Sequence, residues 1–296
     1  MLVGAAMVAT LAVITACASP EPASPPPRPA VQQGQLDVDG QVRTYRVFAP
    51  TTLEPEGQPP LVLVLGGVGN SAENMVGATE FDRQATVGNF IVAYPEGLDL
   101  TWNAGFCCAS GITSGVDDVA FLSRLIDQLV ADYDVDPARV YVTGVSAGAM
   151  MAYRLACERP DRIAGVGSVA GAMVLERCQP DQGVPVIEIH GTEDPLVPYG
   201  GGLVRPEGVA NQPVPATVAV VERWASLNDC PAGPREETQG PVTTLRWTAC
   251  PGGAAVELVT VEGGGHTWFA SGLGPANGAV DATMLIWDFF NSLPRA

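Results

Sequence analysis

The chain has 296 residues, of which 47% are hydrophobic and only 16% charged, a balance that suits a folded core and excludes a disordered chain. Its 15 basic residues are all Arg and face 32 Asp and Glu, giving a formal net charge of −17. Such an excess of anions argues against a nucleic-acid-binding face and against adhesion to anionic lipid headgroups by charge alone.

Residues 2–14 form an apolar run interrupted only by Thr10. The run is shorter than the roughly 20 residues a membrane span needs and matches the apolar region of a secretory signal. It ends in Ile14-Thr15-Ala16-Cys17, which resembles a bacterial lipobox. Residues 1–16 are therefore expected to be a lipoprotein signal peptide and Cys17 to be lipidated, although no Lys or Arg precedes the run. An ordinary signal peptide with an incidental cysteine is the alternative. Prolines at 20, 22, 25, 26, 27 and 29 predict a semi-rigid polyproline II stalk over 17–34, with the folded domain spanning 35–296. The expected location is the outer face of a bacterial membrane, or the medium. Six further cysteines, at 107, 108, 157, 178, 230 and 250, suit an oxidising compartment.

Asp39-Gly40 predicts a two-residue turn between strands over 35–38 and 41–48. Leu61–Leu65 is a continuous apolar run of the kind found in buried parallel strands, and 90–94 and 139–143 are similar. Asp117 and Asp118 open a helical pattern that continues to Val130. A helix is expected over 146–157, then strands over 163–169 and 186–190. A helix over 215–227, a strand over Val256–Val261 and a helix over 280–293 complete the chain. This alternation predicts an α/β fold with a mostly parallel central sheet and helices on both faces.

Gly144-Val145-Ser146-Ala147-Gly148 sits between a predicted strand and a predicted helix. In that context the pattern is the nucleophile elbow of the α/β-hydrolase fold, with Ser146 exposed at a helix N-terminus. The bland alternative is a Gly-rich packing turn around a buried serine. A serine hydroxyl needs a base, and the chain has two histidines, His190 and His266. The chain order in this fold is Ser, acid, His. His266 lies in a Gly-rich loop just past a strand and is the expected base. His190 precedes the acid candidates and is expected to be structural, hydrogen-bonded below the site. Asp194 is the preferred acid over its neighbour Glu193, because the shorter carboxylate before Pro195 is held more firmly. Its role would be to fix the His266 tautomer. Ala147 N–H is one expected oxyanion donor, and Val68 N–H, in the loop Leu65-Gly66-Gly67-Val68-Gly69, is the other. The second segment could also be no more than a flexible connecting turn.

These motifs together resemble the esterase/polyhydroxybutyrate depolymerase family, which is similar to the feruloyl and acetylxylan esterases of carbohydrate esterase family one. The matching stretches are LVLVLGGVGNSAENM over 61–75, WNAGFCC over 102–108, VDDV over 116–119, Gly144 to Gly148, HGTEDP over 190–195 and GGHTW over 264–268. The resemblance implies an α/β-hydrolase fold with Ser146, Asp194 and His266 as the triad. Two departures stand out: Gly66-Gly67 replaces the usual His-Gly of the oxyanion loop, and Phe269-Ala270 replaces the usual Pro-Gly after His-Thr-Trp.

Trp102 and Trp268 are candidate aromatic walls for the substrate, with packed loop aromatics as the alternative. On this topology Cys157, at the end of the helix leaving the elbow, can reach Cys178 at the same sheet edge. Cys230 and Cys250 flank a local excursion containing 242–247 and are expected to pair. Cys107 and Cys108 could form a vicinal disulfide or stay reduced, and one of them pairing with Cys157 is the competing connectivity. The expected activity is hydrolysis of small or polysaccharide-linked carboxylic esters, through an acyl-enzyme and with no metal or organic cofactor. Surface acyl transfer and a non-catalytic binding lipoprotein on a hydrolase scaffold are the alternatives.

Overall fold

A computed structural model describes residues 1, 30–51, 53, 57–108, 110–205 and 212–294. The expected signal peptide beyond Met1, the lipidation site Cys17 and the stalk up to residue 29 lie outside the described residues. Strands β1 (Val31–Val38) and β2 (Gln41–Phe48) form an antiparallel hairpin. Asp39 and Gly40 at its turn both have positive φ, 54° and 81°, as that turn requires. Strand β1 begins four residues earlier than expected, so 31–34 belong to the sheet and not to a stalk. The ladder explains this: Val31 lies opposite Phe48 and Gly34 opposite Tyr45.

The remaining elements follow as β3 (Leu61–Leu65), α1 (Ala72–Thr79), α2 (Phe81–Gly88), β4 (Ile91–Pro95), α3 (Ser110–Ser114), α4 (Asp118–Tyr133), β5 (Val140–Val145) and α5 (Ala147–Glu158). Then come β6 (Gly165–Val169), β7 (Val186–Gly191), α6 (Thr217–Leu227), β8 (Arg235–Gln239), β9 (Val242–Trp247), β10 (Val256–Val261) and α7 (Ala282–Ser292). Helices α1 and α2 were not expected. Each has only eight residues, and α1 is set by its cap: Ser71 accepts the Asn74 N–H at 3.2 Å and donates its own N–H to the Asn74 side chain. The β8–β9 hairpin adds two strands where the sequence suggested only an excursion. Strand β8 is exposed throughout, and its Arg-Glu-Glu sequence protects the sheet edge from pairing with other chains.

The ten strands form one sheet in the order β1-β2-β4-β3-β5-β6-β7-β10-β9-β8. Its centre, from β4 to β10, is parallel and its edges are antiparallel. This is the α/β-hydrolase architecture expected from the sequence. Burial on both faces explains the unbroken apolar runs: Leu61, Leu63 and Leu65 of β3 enter one core while Val62 and Val64 enter the other. Helices α4, α5 and α6 pack into the first core, and α1, α2 and α7 into the second. Strand β3 has β4 on one side and β5 on the other, so the chain reverses its direction across the sheet there. The loops after β3 and β5 diverge at this point, the usual place for a crevice in an open α/β sheet.

Cys157–Cys178 and Cys230–Cys250 are disulfides, as expected, and Cys107–Cys108 is a third. Among the described residues no helix is long and apolar enough to cross a membrane.

Candidate active site

Ser146 sits between the end of β5 and the first turn of α5, with φ 57° and ψ −120°. The two flanking glycines permit this turn. A Cβ on Gly144 would lie 2.6 Å from the Gly148 backbone and 2.8 Å from the Leu65 carbonyl, and one on Gly148 would collide with the Leu65 and Gly66 carbonyls. Strand, helix and the loop after β3 are thus closer than any side chain allows. The Ser146 N–H donates to Val169 O at 2.9 Å, which ties the turn to β6.

The loop after β3 lies against Ser146. A Cβ on Gly67 would come within 3.2 Å of the Ser146 Cβ. The loop is pinned by Asn70 N–H to Gly67 O at 3.0 Å and by Gly69 N–H to Leu100 O at 2.8 Å. Val68 and Ala147, the expected oxyanion donors, both line the same cavity as Ser146. Ala147 is the first residue of α5, so its N–H has no acceptor within the helix.

Asp194 and His266 come from the loops after β7 and β10, which are adjacent parallel strands. His266 Nδ1 is 2.7 Å from Asp194 Oδ2, while Asp194 Oδ1 accepts the N–H groups of Leu196 and Val197, both at 2.8 Å. Burial disfavours the Asp194 charge, but the hydrogen bonds from His190 and His266 outweigh it and hold this carboxyl well below the usual carboxylate range. Glu193, the alternative acid, only directs its backbone N–H to Gly264 O, at 2.9 Å. His266 lines the cavity together with Ser146. No hydrogen bond joins the two side chains in this structure, and catalytic contacts of this kind commonly tighten only around substrate.

The cavity holds about 490 Å³. Its wall includes Met75, Leu196, Val204, Arg205 and the Cys107–Cys108 disulfide, none of which the sequence marked as substrate-facing. Trp268 lines it and is anchored by its indole N–H to Thr283 Oγ1 at 3.0 Å. Trp102 does not. It is 2% exposed, packs in the core beneath the site and donates its indole N–H to Gly66 O at 2.9 Å. The reason is that its loop is drawn inward: Asn103 N–H donates to the buried Asp118 at 2.7 Å, and Asp118 pairs with Arg43 at 2.7 Å.

His190 is fully buried, as a structural histidine would be, but its surroundings are not those of an ordinary core histidine. Its Nδ1 is 3.1 Å from Glu188 Oε1 and its Nε2 is 3.3 Å from Asp194 Oδ2. Burial pushes its pKa down, yet the hydrogen bonds to Asp194 and Glu188 prevail and raise it to about 9. The sequence signal for this was Glu188 itself, a carboxylate two residues before His190 in the fully buried strand Val186–Gly191.

Comparison with known proteins places the chain in a family. The family described as Esterase PHB depolymerase matches residues 44–197, a span that contains Ser146 and Asp194 and ends before His266. The chain is 33% identical over 304 residues to NocK of Nocardia uniformis subsp. tsuyamanensis, covering 88% of each chain. It is 29% identical over 235 residues to Feruloyl esterase B of Piromyces equi, covering 76% of this chain but only 42% of that protein. The acetyl xylan esterase of Aspergillus awamori superposes with a TM-score of 0.62 at 17% identity, over 87% of this chain and 99% of its own, which shows a common fold. The chain belongs to the esterase PHB depolymerase family and is a carboxylic ester hydrolase of the α/β-hydrolase fold.

Proposed function

We propose that the protein is an exported serine esterase that cleaves small or polysaccharide-linked carboxylic esters through an acyl-enzyme. The observation that carries this reading is that His266, 2.7 Å from Asp194, lines the same cavity as Ser146. In this mechanism His266 Nε2 takes the Ser146 proton while Oγ attacks the ester carbonyl carbon. The Val68 and Ala147 N–H groups stabilise the oxyanion that forms. Collapse breaks the bond to the alcohol oxygen, which leaves with the proton from His266. Water then attacks the acyl-serine, with His266 again as base, and the acid departs. Asp194 holds the imidazole in the tautomer that presents Nε2 to the serine.

The relative named Feruloyl esterase B supports feruloyl esters as one substrate class, and a bifunctional acetylxylan esterase/xylanase of Neocallimastix patriciarum, 26% identical over 258 residues, supports esters on a polysaccharide. Three disulfides suit an oxidising compartment, and the apolar run ending at Cys17 suits a lipid anchor outside the cell.

Assay of the purified protein against p-nitrophenyl acetate, methyl ferulate and acetylated xylan, with and without a fluorophosphonate probe, tests the reading. Turnover of at least one ester, blocked by the probe and absent in Ser146→Ala, is expected. A wild-type protein that neither labels nor hydrolyses any of them overturns it.

A further inference from the structure

Four ionisable side chains form a continuous file from the core to the cavity: Glu188, His190, Asp194 and His266. Glu188 and His190 are carried by β7, Asp194 by the loop after it, and the first three are fully or almost fully buried. The triad reading uses only the last two.

The hydrogen-bond pattern around His190 suits a charged ring. Its Nε2 is 2.9 Å from the Val197 carbonyl, which can only accept, and 3.3 Å from Asp194 Oδ2. Its Nδ1 is 3.1 Å from Glu188 Oε1 and 3.3 Å from Thr217 Oγ1. Glu188 already receives the Tyr153 hydroxyl at 3.0 Å on Oε2 and the Gly171 N–H at 3.3 Å on Oε1, a set of donors that suits a carboxylate. A neutral imidazole has one N–H, whereas here Nε2 faces two acceptors and Nδ1 faces the Glu188 carboxylate beside a hydroxyl that can donate or accept, an arrangement that suits a proton on both nitrogens. Among the described residues the other neighbours of His190 are uncharged. Strand β6 places Ser168 beside Glu188, and β10 places Thr260 beside His190. The Tyr199 ring stands edge-on to His190 at 5.8 Å, and α5 supplies Tyr153, whose phenol burial and the Glu188 charge keep protonated.

We propose that His190 is a positioning residue of the triad, a buried imidazolium clamped between Glu188 and Asp194 that holds the Asp194 carboxylate and offsets part of its charge. The inference rests on the Ser146–His266–Asp194 reading. Two carboxylates stacked this closely would otherwise repel each other and favour protonation of one of them. With the cation between them, Asp194 stays ionised and pulls less strongly on a proton at His266. Glu188 acts one step further back, by keeping the proton on His190.

Two measurements test this. Because the chain has only two histidines, nitrogen-15 imidazole spectra of the wild type contain two ring systems, and proton contacts to the Tyr199 ring identify the one that is His190. His190 is expected to be doubly protonated at pH 7, and Glu188→Gln to make it lose that proton at a lower pH than in the wild type. A neutral His190 at pH 7 in the wild type overturns the proposal even if no variant folds. The second measurement is the pH profile of kcat/KM for p-nitrophenyl acetate. His190→Gln is expected to move the acidic limb to higher pH, so that the rate at pH 6 falls about tenfold more than the rate at pH 8. A folded His190→Gln enzyme with lower thermal stability but an unmoved limb shows a purely structural role and also overturns the proposal. Failure of the wild type to hydrolyse any ester refutes the triad reading instead, and the spectra remain informative about His190.

Discussion

The indole N–H of Trp102 donates to the Gly66 carbonyl at 2.9 Å, from the buried side of the loop whose next residues, Gly67 and Val68, line the cavity. A residue outside the cavity lining thereby braces the loop that carries the proposed oxyanion donor Val68. In this chain the loop has Gly66-Gly67, with no side chain of its own to brace it.

Trp102→Phe keeps the ring in the core and removes only this bond. An unpaired buried carbonyl costs about 1–3 kcal/mol, so Tm is expected to fall. Turnover is expected to drop about tenfold with KM nearly unchanged, less than the roughly 10²–10³ for outright loss of an oxyanion donor. Steady-state kinetics on p-nitrophenyl acetate beside a melting curve checks both. Unchanged kcat shows that the Trp102 bond does not position the loop.

His266→Gln and Asp194→Asn are each expected to lower kcat by roughly three to five orders of magnitude, with a residual rate from binding and the oxyanion donors. Their effects should be far from additive, since the two groups act as one unit. The double variant therefore falls little below His266→Gln alone. Glu193→Gln serves as the control and is expected to change kcat less than threefold by the same reasoning.

Stability is expected to depend on pH through His190 and Asp194, with opposite signs. The folded-state pKa of His190 is raised from 6.5 to about 9. Its stabilisation is thus fully present below pH 6.5 and is lost as pH rises through about 9. Asp194 is lowered from 3.8, so its contribution is present above pH 3.8 and is lost as the solution becomes more acidic. These two groups place the highest Tm between about pH 4 and 6.5, with a decline of order 2–3 kcal/mol toward pH 9. Melting curves across pH 3–10 test this, and in His190→Gln the alkaline decline should be much shallower.

The Cys230–Cys250 disulfide closes a loop with a sequence separation of 20 and holds the base of the β8–β9 hairpin. Replacing both cysteines by serine is expected to cost about 3 kcal/mol, most of it through the unfolded chain. Neither residue lines the cavity, so kcat per folded molecule should be unchanged. Denaturant unfolding and active-site titration of the double variant measure the two effects separately.

If Cys17 carries the lipid anchor, expression of Cys17→Ala in a bacterium should shift the protein from the membrane fraction to the soluble exported fraction. An unchanged distribution removes the anchor from the proposal and leaves the esterase reading intact.

Much of the site was legible because its requirements are local. The Gly144–Gly148 pentapeptide between strand and helix is readable because a sharp turn with close backbone passage admits little else. His266 was readable because the chain offers only two histidines and the other precedes the acid. The buried runs such as Leu61–Leu65 marked the parallel centre of the sheet, and the Asp39-Gly40 turn marked its first hairpin. Helices α1 and α2 escaped because eight residues show little periodicity and one cap decides where α1 starts. Strand β8 escaped because an exposed edge strand has no apolar alternation to read.

By itself the sequence determined the order of the central parallel strands and the longer helices, and the strand–turn–helix around Ser146, since each depends on neighbours within a few residues. Tertiary structure alone decided which side of the oxyanion loop Trp102 occupies, that Cys107 and Cys108 are bonded at the cavity wall, and that Glu188 faces His190 under the triad. Glu188 is held by Tyr153, 35 residues away, and Trp102 by Gly66, 36 residues away. Such contacts form only when separate strands and helices pack. The reason is the low dielectric of the core: a charge buried there persists only beside its partner, and the partner's place is a property of the whole fold.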